Sequence, residues 1–363
     1  MHPNRLLLLL PSLMGIAGAA CSDGPAHVPP PGVVDLAAPW ARATPEAVGL
    51  DGTRLFVAGE LAGGIAGMRS LLVVREGKLA FERYYGGATA DSLAEIGTAT
   101  ESVVSALIGI ALRDRQLDGV DQPAGDFEVV RELRPTEDHL NVTVRHLLTM
   151  TGGFAWSGPP DRAYSDWLAS GDHLRHLLDR PLTSPPGVSF RHDPAGAHLL
   201  GAILEEAAER PLPAYADQLL LGRLGIGRRA WEIIGGRANG GAGLALRPRD
   251  LARFGQLHLQ EGWSAHRSVV PTDWVAQATA PQFPWSVPIG PLDRVTYGFL
   301  WWVDLDRDAY FARDRSGQIV YVAPGWEIVV VATTRRPLDG AGRPAVEAAV
   351  LAVVVDHVLD AVR

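Results

Sequence analysis

The stretch from Ile96 to Leu112, IGTATESVVSALIGIAL, places a hydroxyl and a carboxylate one helical turn apart, at Thr98 and Glu101. A side-chain hydroxyl becomes a nucleophile only when a base takes its proton. An ionised glutamate is a weak base, with an unperturbed pKa of about 4.3, and its charge opposes the alkoxide and the oxyanion that would follow. The threonine methyl also restricts the side-chain torsion and crowds the attack path. The same pair makes a second kind of signal. Thr-x-x-Glu ahead of an apolar run is a capping box, which predicts that Thr98 Oγ1 accepts from the Glu101 N–H and the Glu101 carboxylate accepts from the Thr98 N–H. Negative charge at a helix N-terminus is also favourable. The better acid–base candidate is His192, because imidazole titrates near neutrality. With Thr98, and with Asp193 beside it, His192 could imitate a hydroxyl–histidine arrangement. Against this, adjacent side chains seldom converge and Pro194 stiffens the loop, so an uninvolved loop histidine is the simpler state.

Other residues offer less. Lys78 is the only lysine of the chain, so any mechanism that needs an amine must use it, and it falls at a hairpin turn. Ser102 and Ser105 lie inside the helical run, where serines usually pack or bond to the chain. Tyr164-Ser165-Asp166 reads as loop or rim. His139, His146, His173, His176 and His258 show no metal-like pairing, and His173 and His176 in HLRH suit one helix face. No metal and no cofactor is expected.

The elements that must position these residues follow from periodicity. Asp51 suits the N-cap of a helix beginning after it. MRSLLVVREGKLAFERYYGG reads as two strands around a turn at Glu76-Gly77. From Thr98 to about Gly290 the chain is mainly helical: a short helix before Gly152-Gly153, two helices broken near Arg210-Pro211, and one with Pro248 at its start and Gly262 after its end. TYGFLWWVDLD, DAYFARD, GQIVYVAPG and WEIVVVATTR are β-rich, and an apolar helix with Pro344 near its first turn closes the chain. The expected fold is α/β of the α+β kind. An antiparallel sheet of about five strands joins the two ends, terminal helices cover one face, and a mainly helical part packs on the other. The sheet part is 44–97 with 291–363, and the helical part is 98–290.

The chain has 363 residues, 47% hydrophobic and 20% charged, with net charge −8. That is a soluble globular balance, and the absence of a basic block argues against nucleic acid as a partner. Residues 1–20 read as an export signal: Arg5, an apolar run too short and too interrupted for a good membrane span, then small residues before Cys21. The placement of Cys21, the single cysteine, fits a lipoprotein signal, with an ordinary secretory signal as the alternative. Residues 21–43 then read as a Pro-rich tether, carrying a domain of 44–363 in a bacterial cell envelope, on the periplasmic or outer face. Asn141-Val142-Thr143 fits a glycosylation acceptor, irrelevant in such a setting.

TPEAVGLD, SLLVVREGKLAFERYY, SALIGIAL, TVRHLLTMTGG, HLLGAIL, GGAGLALRPRDLARFGQLHL, YGFLWW and GQIVYVAP together resemble the serine β-lactamase and penicillin-binding-protein superfamily, in particular its class-C-type esterase and 6-aminohexanoate-dimer hydrolase branch. The resemblance runs from about Thr44 to the end. It implies a β-lactamase/transpeptidase-like fold and three motifs: a serine with a lysine three residues on, a Tyr-x-Asn or Tyr-x-Ser loop, and a strand triad such as Lys-Thr-Gly whose backbone N–H completes an oxyanion hole. Each motif departs here. Thr98 and Glu101 stand at the nucleophile and lysine positions, and His192-Asp193-Pro194 at the tyrosine loop. The third motif reads either as Arg315-Ser316-Gly317 or, preferably by the spacing to Gly317-Gln318, as Ala312-Arg313-Asp314. The preferred register leaves the N–H groups of Thr98 and Arg315 as oxyanion-hole candidates. The resemblance with these departures implies an inactive or impaired hydrolase whose cleft could hold a small acyl, peptide or peptidoglycan-type ligand. The alternatives are an esterase or amidase acylated on Thr98 with His192 as base, and a purely structural or partner-binding protein.

Overall fold

The computed structural model describes residues 29–156, 160–335 and 342–363; the signal segment and Cys21 lie outside the described residues. Eight strands form one antiparallel sheet: β1 (Met68–Arg75), β2 (Lys78–Tyr84), β3 (Val287–Ile289), β4 (Leu292–Tyr297), β5 (Trp302–Asp304), β6 (Ala309–Asp314), β7 (Gln318–Ala323) and β8 (Ile328–Thr334). Their order is β3-β4-β5-β6-β7-β8-β1-β2, so the first strands pair with the last. The expected antiparallel sheet is present and is wider than the five strands anticipated. The excess lies at the β3 edge, where Val287–Ile289 and most of Leu292–Tyr297 precede the β-rich stretches read from the sequence.

Among the described residues five α-helices have ten or more residues: α1 (Gly52–Gly63), α2 (Thr100–Arg113), α3 (Pro194–Ala207), α4 (Pro248–Leu259) and α5 (Arg343–Ala352). Asp51 caps α1, accepting from the N–H groups of Thr53 at 3.0 Å and Arg54 at 3.1 Å. Across the sheet centre, Leu72 pairs with Val331 and Val331 with Val320, while Val74 pairs with Val329 and Val329 with Val322. This apolar row is met by α4. A Cβ on Gly255 would lie 2.6 Å from Val329 and 2.9 Å from Val320, so glycine sets how closely α4 approaches. On the opposite face, Gly59 of α1 sits against Phe81, and Val346 and Val350 of α5 sit over Gly317.

Residues 98–290 are mainly helical but not wholly so. Arg229–Trp231 and Leu244–Leu246 join Ala94–Glu95 in a small second sheet. The end of the expected tether also differs from a free linker. Leu36 is buried and its N–H donates to Ser264 Oγ at 3.0 Å, the Trp40 indole donates to the Arg249 carbonyl at 3.2 Å, and Ala43 N–H donates to the Leu79 carbonyl at 3.3 Å. Apolar side chains every few residues dock this stretch on the body. No helix among the described residues is long and apolar enough to cross a membrane.

The helix that carries the chemistry-bearing pair is central. Every residue from Thr100 to Ala111 of α2 is buried. Its contact with the helix Thr272–Ala278 depends on Gly109, where a Cβ would lie 2.2 Å from Trp274. Gly to Ala inside a helix ordinarily stabilises by about 1 kcal/mol. Here the clash reverses the sign: Gly109→Ala is expected to lower stability by about 1–3 kcal/mol, the usual cost of overpacking. Urea unfolding checks this, and a gain in stability would contradict the close packing.

Candidate functional site

The chain enters α2 through a 3₁₀ turn, Gly97–Ala99, so Thr98 stands just outside the helix. Gly97 has φ +54°, and a Cβ there would lie 2.3 Å from Asp314 Oδ2. Only glycine lets the end of β6 come this close. The Asp314 carboxylate uses that approach. Its Oδ2 accepts the Thr98 N–H at 3.3 Å and its Oδ1 accepts the Ser316 N–H at 2.8 Å. The Thr98 hydroxyl points the same way, 3.0 Å from the Arg313 carbonyl and 3.4 Å from Asp314 Oδ2.

The capping box expected from Thr98-x-x-Glu101 does not form. The Thr98 N–H is taken by Asp314, the Thr98 hydroxyl donates to strand β6, and Ala99, the cap residue of α2, has no side-chain cap bond. Glu101 instead turns inward. It is 2% exposed, and its Oε2 lies 3.1 Å from His192 Nε2. Its Oε1 has no partner among the described residues. Burial raises the Glu101 carboxyl above the ordinary carboxylate range, and the neighbouring His192 pulls it partly back.

His192 thus serves Glu101, which overturns the uninvolved loop histidine expected from the sequence, and the alternative hydroxyl–histidine pair of Thr98 and His192 is absent from the bonds both residues make. Asp193 does not orient His192. It caps α3, its Oδ1 accepting the Ala195 N–H at 3.0 Å, and burial lifts its pKa to about 6. Of the third motif, Ala312, Arg313 and Asp314 are the last residues of β6 and border the Gly97–Ala99 turn, while Arg315 lies in the turn to β7. Arg313 pairs with Glu347 of α5 and lies 4.1 Å from the Trp302 ring centroid, a cation–π contact. The Trp302 indole is in turn 6.1 Å from the His192 ring.

Sequence reasoning missed several neighbours. Tyr297 is fully buried, its hydroxyl has no partner among the described residues, and burial followed by the Glu101 charge holds its pKa well above the ordinary phenol range. Phe190 joins Tyr297 at 5.0 Å and Trp285 at 4.9 Å between ring centroids. The aromatic letters were visible in the sequence, but nothing local says that two loops and the end of β4 bring them together. The remaining candidates serve structure. Lys78 is 3.9 Å from Glu76 at the hairpin. Ser102 donates to the Leu300 carbonyl at 2.7 Å. His173 bonds the Leu168 carbonyl at 3.1 Å, and His176 lies 2.7 Å from an Arg180 nitrogen. His258 bonds the Phe254 carbonyl at 2.9 Å. Among the described residues no group of His, Cys, Asp and Glu converges as a metal site.

Comparison with known proteins agrees with this architecture. The sequence matches the β-lactamase family over residues 53–354. A Bacillus anthracis chain assigned as a 6-aminohexanoate-dimer hydrolase superposes with TM-score 0.73 at 17% identity, covering 93% of this chain and 91% of that one. A Bacteroides dorei chain assigned as a β-lactamase gives 0.68 at 21% identity, with 85% and 99% covered. A penicillin-binding-protein homologue from Caulobacter crescentus gives 0.60 at 16% identity, with 84% and 99% covered. At these identities the likeness is one of fold. No curated protein matches the sequence.

Two measurements check the geometry. Gly97→Ala alone should destabilise by more than about 2 kcal/mol, combining the clash with a positive-φ cost of about 1 kcal/mol. In an Asp314→Gly background, which also removes the Asp314 Cβ 2.8 Å from the new Cβ, the added cost should shrink towards the backbone part, a non-additivity that a double-mutant cycle reads directly. Additive effects would mean that the two residues do not touch. The second concerns pH. The folded pKa of Glu101 lies above its ordinary 4.5. As pH rises past 4.5 the unfolded chain therefore releases a proton that the folded chain still holds, and the glutamate weakens the fold. Glu101→Gln should gain stability relative to the parent between pH 4 and pH 8, and a constant difference in urea unfolding would contradict the burial effect.

Proposed function

Because the chain belongs to the β-lactamase family, we propose that it is a member that has lost the family's covalent hydrolysis and keeps the cleft as a binding surface. The observation that carries this reading is the Asp314 carboxylate bonded to the Thr98 N–H at 3.3 Å. Acyl transfer at Thr98 would need that N–H for the oxygen that becomes negative at the tetrahedral stage. Here a resident carboxylate holds the donor and would repel the incoming oxyanion.

The activation of the hydroxyl fails for a separate reason. The residue three positions on is an acid, its carboxylate is engaged with His192 at 3.1 Å, and the Thr98 hydroxyl donates to the Arg313 carbonyl at 3.0 Å. A main-chain carbonyl cannot take the proton away, and the Asp314 carboxylate, 3.4 Å from the hydroxyl, is already bonded to the Thr98 and Ser316 N–H groups. The lone lysine is committed to the hairpin turn. The esterase reading with His192 as base therefore has no geometric support, and the purely structural reading differs from ours only in what the cleft binds.

Incubation of the protein with a fluorophosphonate, a penicillin or an activated ester, followed by intact-mass measurement, should leave the mass unchanged. An adduct mapped to Thr98 would overturn the reading. Reinstating the family residues by Thr98→Ser, Glu101→Lys and His192→Tyr should still give no adduct while Asp314 remains; labelling should appear only when Asp314→Gly is added. Labelling of the triple variant would show that Asp314 is no obstacle.

We also propose that the protein is exported and lipid-anchored through Cys21 to the bacterial envelope. The support is the run of small residues that ends at this single cysteine. Expression in a bacterial host with a radiolabelled fatty acid should label the parent and leave Cys21→Ser unlabelled; equal labelling would refute the anchor.

A further inference from the structure

We propose that the cleft beside Glu101 binds a protonated amine carried on an aromatic or apolar body, an assignment that rests on the reading of the cleft as a surviving binding surface. Two unsatisfied groups lie buried beneath His192 and Phe190. Glu101 is 2% exposed, and while Oε2 meets His192, Oε1 has no partner among the described residues. The Tyr297 hydroxyl, fully buried, has none either, and the Glu101 charge reaches it. Buried polar atoms are otherwise almost always bonded, so each unsatisfied one asks for an explanation. An ionised carboxylate only accepts and a phenol oxygen can accept as well, so each would be satisfied by a group that brings N–H donors. An ammonium has three.

The protein's nearby cation does not fill this role. Arg313 is paired with Glu347 and lies over Trp302. The wall next to the carboxylate is aromatic: Phe190 packs with Tyr297, Trp302 and Trp285 at centroid separations of 5.0, 6.0 and 4.9 Å. Phe190 and Trp285 are half-buried and so offer ring surface. Such rings favour apolar groups and also attract cations to their faces. His192, whose side chain is 31% exposed, covers Glu101 and is the residue an arriving amine would displace. An alcohol of the same shape would leave the carboxylate without a charged partner, and a carboxylic acid would be repelled, so the site discriminates by charge.

Calorimetric titration of the full chain with 2-phenylethylammonium, 2-phenylethanol and 3-phenylpropionate tests this. Saturable binding of the amine is expected, at least tenfold tighter than that of the alcohol, with none for the acid. Glu101→Gln should weaken the amine at least tenfold, and His192→Ala should leave it as tight or tighter. Absence of saturable amine binding, or equal affinity for amine and alcohol on the parent protein, would overturn the proposal without reliance on any variant. An intact-mass spectrum of the same sample after exposure to an activated ester keeps the two readings apart. A Thr98 adduct sinks the loss of hydrolysis whatever the amine does, and loss of amine selectivity sinks the present assignment whatever the ester does.

Discussion

The carboxylate of Asp314 ties the end of a sheet strand to the turn that starts the central helix. Several features of the site are conditions for that contact. Gly97 must lack a side chain, because any Cβ would meet the carboxylate at 2.3 Å. The Thr98 N–H must face outward from the helix start, where helical N–H groups have no internal partner. A negative group placed there gains from the helix dipole. The position is therefore a natural anion seat, and the protein fills it with its own residue. A seat shaped to hold a transient charge during a reaction holds a permanent one equally well, and in doing so stops being available.

The rest of the site follows the same economy of charge. Glu101, buried at the first turn of α2, takes His192 as its partner, and Arg313 takes Glu347 of α5. Buried pairs of this kind contribute little net stability compared with apolar replacements, but removing one member leaves a charge that the interior cannot solvate. The two pairs are bridged by Trp302, which touches the guanidinium on one side and lies near the imidazole on the other. The consequence is a connected site: these contacts link the helix start, the His192 loop, β5, β6 and α5.

Much of the architecture was legible in the sequence because it depends on neighbours. The Asp51 cap, the hairpin at Glu76-Gly77, and the helix opened by Pro248 and closed before Gly262 all follow from local patterns. The site was legible only in part. The positions Thr98, Glu101, His192 and Asp314 could be named, but their partners could not. The bond between Thr98 and Asp314 spans 216 residues of chain, and that between Glu101 and His192 spans 91. Thr98-x-x-Glu101 shows the cost of a local reading. The motif was intact, yet each half found a stronger partner across the fold. The reciprocal box that does form joins Thr143 and His146 at the short helix Val144–Leu148. Histidine is outside the usual pattern at that place, so only geometry reveals it.

The docked stretch from Leu36 to Ala43 carries one more implication. Ala41 and Ala43 bond Leu79 on β2, the outermost strand of the sheet, with Leu79 N–H donating to the Ala41 carbonyl at 2.9 Å. An uncovered border strand is a template for pairing with other chains. The leading segment thus acts as a selvedge, finishing a border that would otherwise fray into aggregation. A version shortened to begin at Thr44 would lose the buried Leu36 and the partners of Leu79 together, and with them its solitude in solution.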